Sequence, residues 1–303
     1  MPTLLLLLST ALAGTLDQAV EARHAGDYAG ATALLDALHP LVEAEEEGLW
    51  QYERGMVEDL TWHPDRAESY YRAAVAFGGD IGVEARYRLV VVLDDLGRYP
   101  EAREELRALL AVPTLNPEFR PVLRIEEGVI ALRTGHPNVG AHLVSTGIRK
   151  VNDPKRHSWM IGRGRAAMLD AQADAAEALE LSGRERRVVR NLKKRARTLA
   201  AVEKELYAVI ATEEPEWITL SLLRVGDTYA SLADDLARSG PPTSLSPEQA
   251  EIYRELITEK AEGPRTKAFN LYDHGVLFAT RTSWQSPAVE ELKARRDSLA
   301  EIR

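Results

Sequence analysis

Gly97-Arg98-Tyr99-Pro100-Glu101-Ala102 carries a Gly-x-Tyr-x-x-Ala pattern that also stands earlier in the chain, as Gly26-Asp27-Tyr28-Ala29-Gly30-Ala31. In each copy the glycine ends one amphipathic helix and the tyrosine packs at the turn. The alanine allows the next helix to approach closely. The pattern therefore predicts an array of stacked helices.

Aligned on the packing alanine, the copies fall at Ala31, Ala67 and Ala102, and a degenerate fourth copy falls at Gly140. Successive copies are 36, 35 and 38 residues apart. The pattern resembles the tetratricopeptide repeat, a unit of about 34 residues formed by two antiparallel helices. The resemblance implies an all-α, right-handed α-solenoid of antiparallel helix pairs over residues 14–154, continued by longer helices. The alternative is an unrelated helical bundle, because apolar residues at i, i+3 and i+4 occur in any amphipathic helix.

The third copy fits the repeat best and the fourth fits it least. The third copy has the family residue types at Leu89, Gly97, Tyr99, Ala102, Leu106 and Leu109. The second copy carries Trp62 and Pro64 where glycine and tyrosine are expected at the turn. The fourth copy carries Pro137 and Gly140 where tyrosine and alanine are expected, so regular repeats are predicted to end there.

Residues 1–13 have the pattern of a secretory signal. An apolar run of five leucines precedes Ala11-Leu12-Ala13, a small-x-small cleavage site. Cleavage after Ala13 predicts a periplasmic or secreted protein. The alternative is that these residues form the first helix of the first repeat, although five consecutive leucines would leave apolar side chains on every face of that helix.

The composition excludes several classes of function. Lys and Arg number 38 against 47 Asp and Glu, and a net charge of −9 argues against nucleic-acid binding. With no cysteine, the chain has no thiol for catalysis or zinc binding. The sequence contains no run of 18 apolar residues, so it predicts no transmembrane helix. Because no metal-binding, nucleotide-binding or hydrolase motif occurs, we expect no cofactor, no metal and no catalytic residue.

A hydrolase with a hidden site is the less favoured alternative to a non-enzymatic protein. Such a site would lie near Trp217 and Asp273-His274. Adjacent residues usually point to different sides of a helix, so Asp273 and His274 make a poor acid–base pair.

A helix-pair array has a concave face that it cannot cover itself, and certain positions of each first helix line that face. Alignment predicts these groove residues: Tyr52, Met56 and Asp59 in the second copy, Glu84, Tyr87, Val91, Asp94 and Asp95 in the third, and Ile125 and Val129 in the fourth. The alternative is that Tyr52, Tyr87 and Ile125 belong to the core between repeats. Family members that clamp a carboxylate terminus use Lys and Asn on this face, and the matching positions here lack them. Asp94 and Asp95 instead favour a basic peptide, and the alternative is that they are solvated residues next to Gly97.

Residues 155–212 predict a long antiparallel helical hairpin, with one helix over 157–182 and a second over 184–211. The second helix has an apolar stripe at heptad-like spacing. Opposite this stripe stands a basic ridge of five cations: Arg186, Arg190, Lys193, Lys194 and Arg197. The ridge fits an acidic partner or anionic lipid head groups, and the alternative is a merely solvated face. Arg195 falls within the apolar stripe, so it should snorkel or meet a carboxylate from a neighbouring helix.

Residues 213–303 predict a C-terminal helical region: a Trp-containing helix, a Pro-Pro loop, a helix capped at Ser246, a helix that begins at Pro264, and a last helix after Pro287. This order loosely resembles the C-terminal region of bacterial envelope repeat proteins, some of them linked to gliding motility. The sequence therefore predicts a non-enzymatic scaffold in the bacterial envelope or periplasm that binds a protein or peptide in its groove. The alternative is a structural envelope or motility-complex subunit that self-assembles through its C-terminal helices.

Overall fold

The computed structural model describes residues 16–182, 184–241 and 245–302, and every regular element within them is a helix. The predicted signal at 1–13 lies outside the described residues. The helices are α1 (16–24), α2 (Tyr28–Leu38), α3 (Glu47–Leu60), α4 (Pro64–Phe77), α5 (Gly79–Asp95), α6 (Tyr99–Leu110), α7 (Arg120–Arg133), α8 (Pro137–Lys150), α9 (Ser158–Glu177), α10 (Glu185–Ile210), α11 (Pro215–Arg238), α12 (Pro247–Thr282) and α13 (Pro287–Ile302). The prediction of an all-α chain built from helix pairs is confirmed.

In each of the first four helix pairs, the same tight turn joins the two helices of the pair. At each turn one residue adopts the left-handed backbone conformation: Gly26, Trp62, Gly97 and Gly135, with φ between 65° and 81°. In the third pair Arg98 N–H donates to Leu93 O and Gly97 N–H donates to Asp94 O, which is the Schellman arrangement that closes a helix C-terminus. The same two bonds recur at the other three turns. The fourth turn is therefore regular, and Trp62 adopts the conformation of the missing glycine.

The small residues of each pair lie where two helices touch. Ala31, Ala67 and Ala102 are fully buried. A Cβ atom added to Gly140 would lie 2.7 Å from the Gly128 carbonyl oxygen, which is closer than real Cβ atoms approach. Helices α7 and α8 therefore meet backbone to backbone, and glycine at position 140 permits a closer approach than the expected alanine.

The chain divides into two compact units, unit 1 through Leu123 and unit 2 from Arg124. This division groups α8 and most of α7 with the longer helices that follow. In unit 1 side chains join successive helix pairs. Trp50 Nε1 donates to Leu35 O at 2.8 Å, and Arg98, from the turn of the third pair, forms an ion pair with Glu68 of the second pair. Helix α3 also contacts α5, as stacked pairs require.

Unit 2 contains the predicted hairpin, formed by α9 and α10. The stretch Gly162-Arg163-Gly164 lies inside α9, where both glycines serve close packing. A Cβ atom at Gly162 would lie 2.5 Å from Trp217, and one at Gly164 would lie 2.6 Å from Ile125. Between them, Arg163 forms a fully buried ion pair with Glu126 of α7. These contacts hold α9 against α7 and α11.

Helices α11, α12 and α13 complete unit 2 and correct one prediction. The capping box at Ser246 is present, with Gln249 as its partner. The predicted helix start at Pro264 is wrong, because α12 runs without interruption from Pro247 to Thr282. A proline inside a helix costs about 3 kcal/mol. Packing of Tyr272 and its neighbours in the second half of α12 against α11 outweighs this cost.

Candidate protein-interaction surfaces

The predicted groove residues of unit 1 lie on α3 and α5, but only some of them are accessible. Glu84 and Asp95 are exposed, and Tyr52 and Asp59 are half-buried. The remaining four are buried: Met56, Tyr87, Val91 and Asp94. The face formed by the four accessible residues is called here the α3–α5 face. A partner at this face meets mainly carboxylates and one phenol.

Two tyrosines and an arginine form a polar cluster beneath this face. Tyr71 of α4 donates its hydroxyl to Asp59 Oδ2 at 3.2 Å, and its ring lies against Gly55, where a Cβ atom would come within 2.8 Å of it. The Tyr52 and Tyr71 ring centroids are 6.1 Å apart. Arg88 of α5 donates a hydrogen bond to the Tyr52 side chain. The cluster thus links α3, α4 and α5 through side chains.

The electrostatics of the cluster fix its charges. Burial raises the pKa of the Tyr52 phenol, and Arg88 offsets this only in part. Burial and the Asp59 carboxylate together raise the pKa of Tyr71 well above its ordinary value. Burial alone would lower the pKa of Arg88, but electrostatic interactions with Tyr71, Tyr52 and Asp59 raise it by more, so the net shift is upward. Both phenols therefore stay protonated and Arg88 stays charged, so none of these three side chains is suited to proton transfer near neutral pH.

Sequence reasoning missed Arg88 as part of this site. Its position carried a usable signal, because Glu84, Arg88, Val91 and Asp95 recur at intervals of four, three and four residues, which places them on one helix face.

The two predicted groove residues of the fourth copy, Ile125 and Val129, belong to unit 2 and are both fully buried. Ile125 packs against Gly164 of α9. Their side chains therefore serve the packing of unit 2 in this structure.

The basic ridge on α10 has the predicted geometry. Arg186, Arg190, Lys193, Lys194 and Arg197 are all exposed. Within the described ranges none of the five lies within ion-pair distance of a carboxylate. Val189 stands beside them with 45% of its surface exposed. The ridge therefore presents five cations and one apolar side chain to solvent.

Arg195, on the same helix, has a different environment, and the prediction that it meets a carboxylate is confirmed. It is fully buried and donates to Asp235 Oδ2 of α11 at 2.5 Å and to Ser231 Oγ at 3.1 Å. The apolar stripe of α10 thus contains one internally paired cation.

Unit 2 also has an open cleft of about 540 Å³. Its charged side chains pair with one another: Arg224 with Glu177 at 2.6 Å, Arg295 with Asp227 at 3.3 Å. Tyr272 donates to Asp227 at 2.7 Å. These pairs leave the cleft without a net charge that would select a ligand.

The residues of the hydrolase alternative do not come together. Trp217 is buried against Trp159, with ring centroids 5.2 Å apart, and lies 5.6 Å from the Arg163 guanidinium. His274 is exposed, and Asp273 pairs with Arg296 at 3.6 Å. In the described part of the chain no three His, Asp or Glu side chains are arranged to hold a metal ion. No helix there is both long enough and apolar enough to cross a membrane.

Comparison with known proteins finds similarity among solved structures. No protein-family model matches the chain. No curated protein matches it either. The chain is similar to the crystal structure of the P58(IPK) TPR domain, at 13% sequence identity and a TM-score of 0.18, over 96% of this chain and 98% of that chain. That TM-score is too low to bear on fold or function, so the helix-pair description rests on the four turns and the contacts between helices.

Proposed function

We propose that this protein is a non-enzymatic scaffold in the bacterial envelope or periplasm, and that the α3–α5 face binds a basic peptide segment of a partner protein. The observation that carries the proposal is the pair of exposed carboxylates, Glu84 and Asp95, on one face of α5 above a rigid polar cluster. Fixed negative charge on a preorganised surface favours cationic side chains at a low entropic cost.

A peptide-display selection on the intact chain tests this proposal. We expect enriched peptides to contain Lys or Arg and to lose about tenfold or more in affinity against Glu84→Lys with Asp95→Lys. Glu104→Lys with Glu118→Lys is the matched control, because it changes the net charge equally and both residues are exposed outside α3 and α5. Circular dichroism of each variant verifies that the helices persist. Selection without basic enrichment, or equal loss in the control, would refute the proposal.

The envelope location is tested separately. It rests on the predicted signal, so fractionation of the native cell should recover a chain in the periplasm whose N-terminal residue is Gly14. A chain that retains Met1 in the cytoplasm would contradict the location and leave the binding face untouched.

A second candidate function is self-assembly through the C-terminal helices. The first half of α12 favours it, because Ile252 and Leu256 are about half exposed there and the segment has no fully buried residue.

A further inference from the structure

Helix α12 extends well past the end of α11, its main packing partner. Tyr272 of α12 contacts Gly226 and Asp227 of α11, which fixes the antiparallel register of the two helices. From this register the end of α11 at Arg238 lies level with about residue 261 of α12. Residues 247–260, called here the α12 arm, therefore project roughly 20 Å beyond α11. The burial pattern agrees, since the fully buried residues of α12 begin at Ala261, and in the arm only the partly buried Ile257 packs against the core cluster of unit 2.

The arm carries an acidic stripe. At 100° per residue, five glutamates fall within about 80° of the helix circumference: Glu248, Glu251, Glu255, Glu259 and, just past the arm, Glu262. All five are exposed. Two of these glutamates form local ion pairs, Glu251 with Arg254 and Glu262 with Arg265, each three residues apart. Ile252 and Leu256 stand beside the stripe.

The basic ridge lies at the same end of unit 2. Arg195 contacts Ser231 and Asp235 of α11, so the end of α11 lies level with about residue 190 of α10. The first turns of α10 thus project in the same direction as the α12 arm. No ion pair joins the ridge to the acidic stripe within the described residues. One end of unit 2 therefore presents a basic helix face and an acidic helix face, both open to solvent.

We propose that the occupant of the basic ridge is the acidic stripe of a second copy of this chain. Ridge cations recur at intervals of four, three and four residues, from Arg186 to Arg197, and the stripe glutamates recur at three, four, four and three. Both spacings place one charge on the contact face in each helical turn. The ridge is about 17 Å long along α10 and the stripe is about 21 Å long along α12. Val189 on one side and Ile252 with Leu256 on the other supply an apolar strip. The pairing specifies the second candidate function and does not depend on the α3–α5 face.

Charge complementarity selects a second copy over an anionic membrane. A membrane surface that attracted the ridge would also meet the five glutamates projecting at the same end, and it would repel them. A second copy satisfies both faces at once, because in a two-fold symmetric dimer each ridge meets the partner's stripe and the contact forms twice. Exposed ion pairs are individually weak and screened by salt, so the dimer should dissociate as ionic strength rises.

A charge-swap experiment on the full chain tests the pairing, with mass measured by sedimentation equilibrium at 50 mM and 500 mM NaCl. The ridge variant is Arg186→Glu, Arg190→Glu and Lys193→Glu. The arm variant is Glu251→Lys, Glu255→Lys and Glu259→Lys. We expect the unaltered chain to dimerise at low salt, and each variant alone to lose about tenfold or more in association constant. An equimolar mixture of the two variants should dimerise again, because opposite charges then face each other at both contacts.

The control matched to the arm variant changes the net charge by the same amount and sign, through three exposed glutamates of unit 1: Glu45→Lys, Glu104→Lys and Glu118→Lys. It should dimerise like the unaltered chain. A monomeric unaltered chain at low salt, or variants that fail to associate on mixing while retaining full helicity, would overturn the proposal. So would a ridge variant that dimerises normally but no longer binds vesicles of phosphatidylcholine and phosphatidylglycerol. That last result would assign the ridge to a membrane.

Discussion

Replacing Asp235 by Asn should destabilise unit 2 much more than replacing Arg195 by Met, although the two residues form one ion pair. Arg195 is fully buried, whereas the Asp235 side chain retains 28% of its exposure. Asp235 also has a second cation, since Arg238 donates to its other oxygen at 2.8 Å. Without Arg195 the carboxylate therefore still has water and a second cation, whereas without Asp235 the buried guanidinium keeps only the Ser231 hydroxyl.

The expected magnitudes follow from this asymmetry. Removing one partner of a buried pair typically costs about 3–5 kcal/mol, because the remaining charge stays desolvated. Water near Asp235 moves the cost of Asp235→Asn toward about 3 kcal/mol. Replacing a buried charge by an apolar side chain of similar volume is often neutral or stabilising, so Arg195→Met should change the free energy of unfolding by less than about 1 kcal/mol. Ser231 loses one hydrogen bond and remains near solvent.

Urea denaturation of the two variants, with hydrogen exchange followed by mass spectrometry, measures both effects. Exchange of the α10 and α11 amides reports unit 2 directly and separates it from unit 1. The double variant should resemble Arg195→Met alone, because the Asn no longer faces a buried cation. An Arg195→Met cost equal to the Asp235→Asn cost would refute the reasoning, since it would show that the carboxylate, not the guanidinium, depends on the pair.

Three further predictions concern stability, and thermal melts check each of them. Gly128→Ala should cost about 2 kcal/mol, because its Cβ would lie 2.7 Å from Val144 Cγ2. Pro264→Ala, inside α12, should stabilise by about 2–3 kcal/mol because the proline removes one helix hydrogen bond, and a loss there would contradict the continuous helix. Burial raises the pKa of Glu203, but hydrogen bonds from Lys267 and Tyr229 lower it by more, so the net shift is downward. The contribution of Glu203 to stability is therefore present above the unfolded pKa and is lost as pH falls through the folded pKa. The melting temperature of Glu203→Gln should fall less on acidification than that of the unaltered chain.

The helix pairs could be predicted from the sequence because the signals that define them are local. A glycine at a helix C-terminus is required by backbone conformation alone, so Gly26, Gly97 and Gly135 locate their turns without tertiary information. The fourth pair shows the limit of matching residue types. Gly140 departs from the expected alanine and yet performs the same packing more closely, because Gly128 faces it across the helix contact.

The accessible part of the α3–α5 face could not be predicted in the same way. Tyr87 and Val91 share a helix with Glu84, and repeat position alone assigns all of them to the groove. Their burial depends on which neighbours pack over each position, as Phe119 does over Tyr87, with ring centroids 5.3 Å apart. Helical periodicity gives the direction of a side chain but not the distance to the next element.

The same distinction explains why the exposure of the ridge cations and the pairing of Arg195 could be predicted, whereas the glutamates proposed to meet the ridge could not be placed from the sequence. Periodicity sorts the cations by itself: Arg195 falls in the apolar stripe and must find a carboxylate within the chain, while the ridge residues fall opposite it. The complementary glutamates, from Glu248 to Glu262, precede Pro264. A helix break at Pro264 would make that segment a separate helix, free to pack independently of the residues that follow the proline. Because α12 continues through the proline, the segment is held rigidly by the packed second half of its own helix, and its acidic face is left for another molecule.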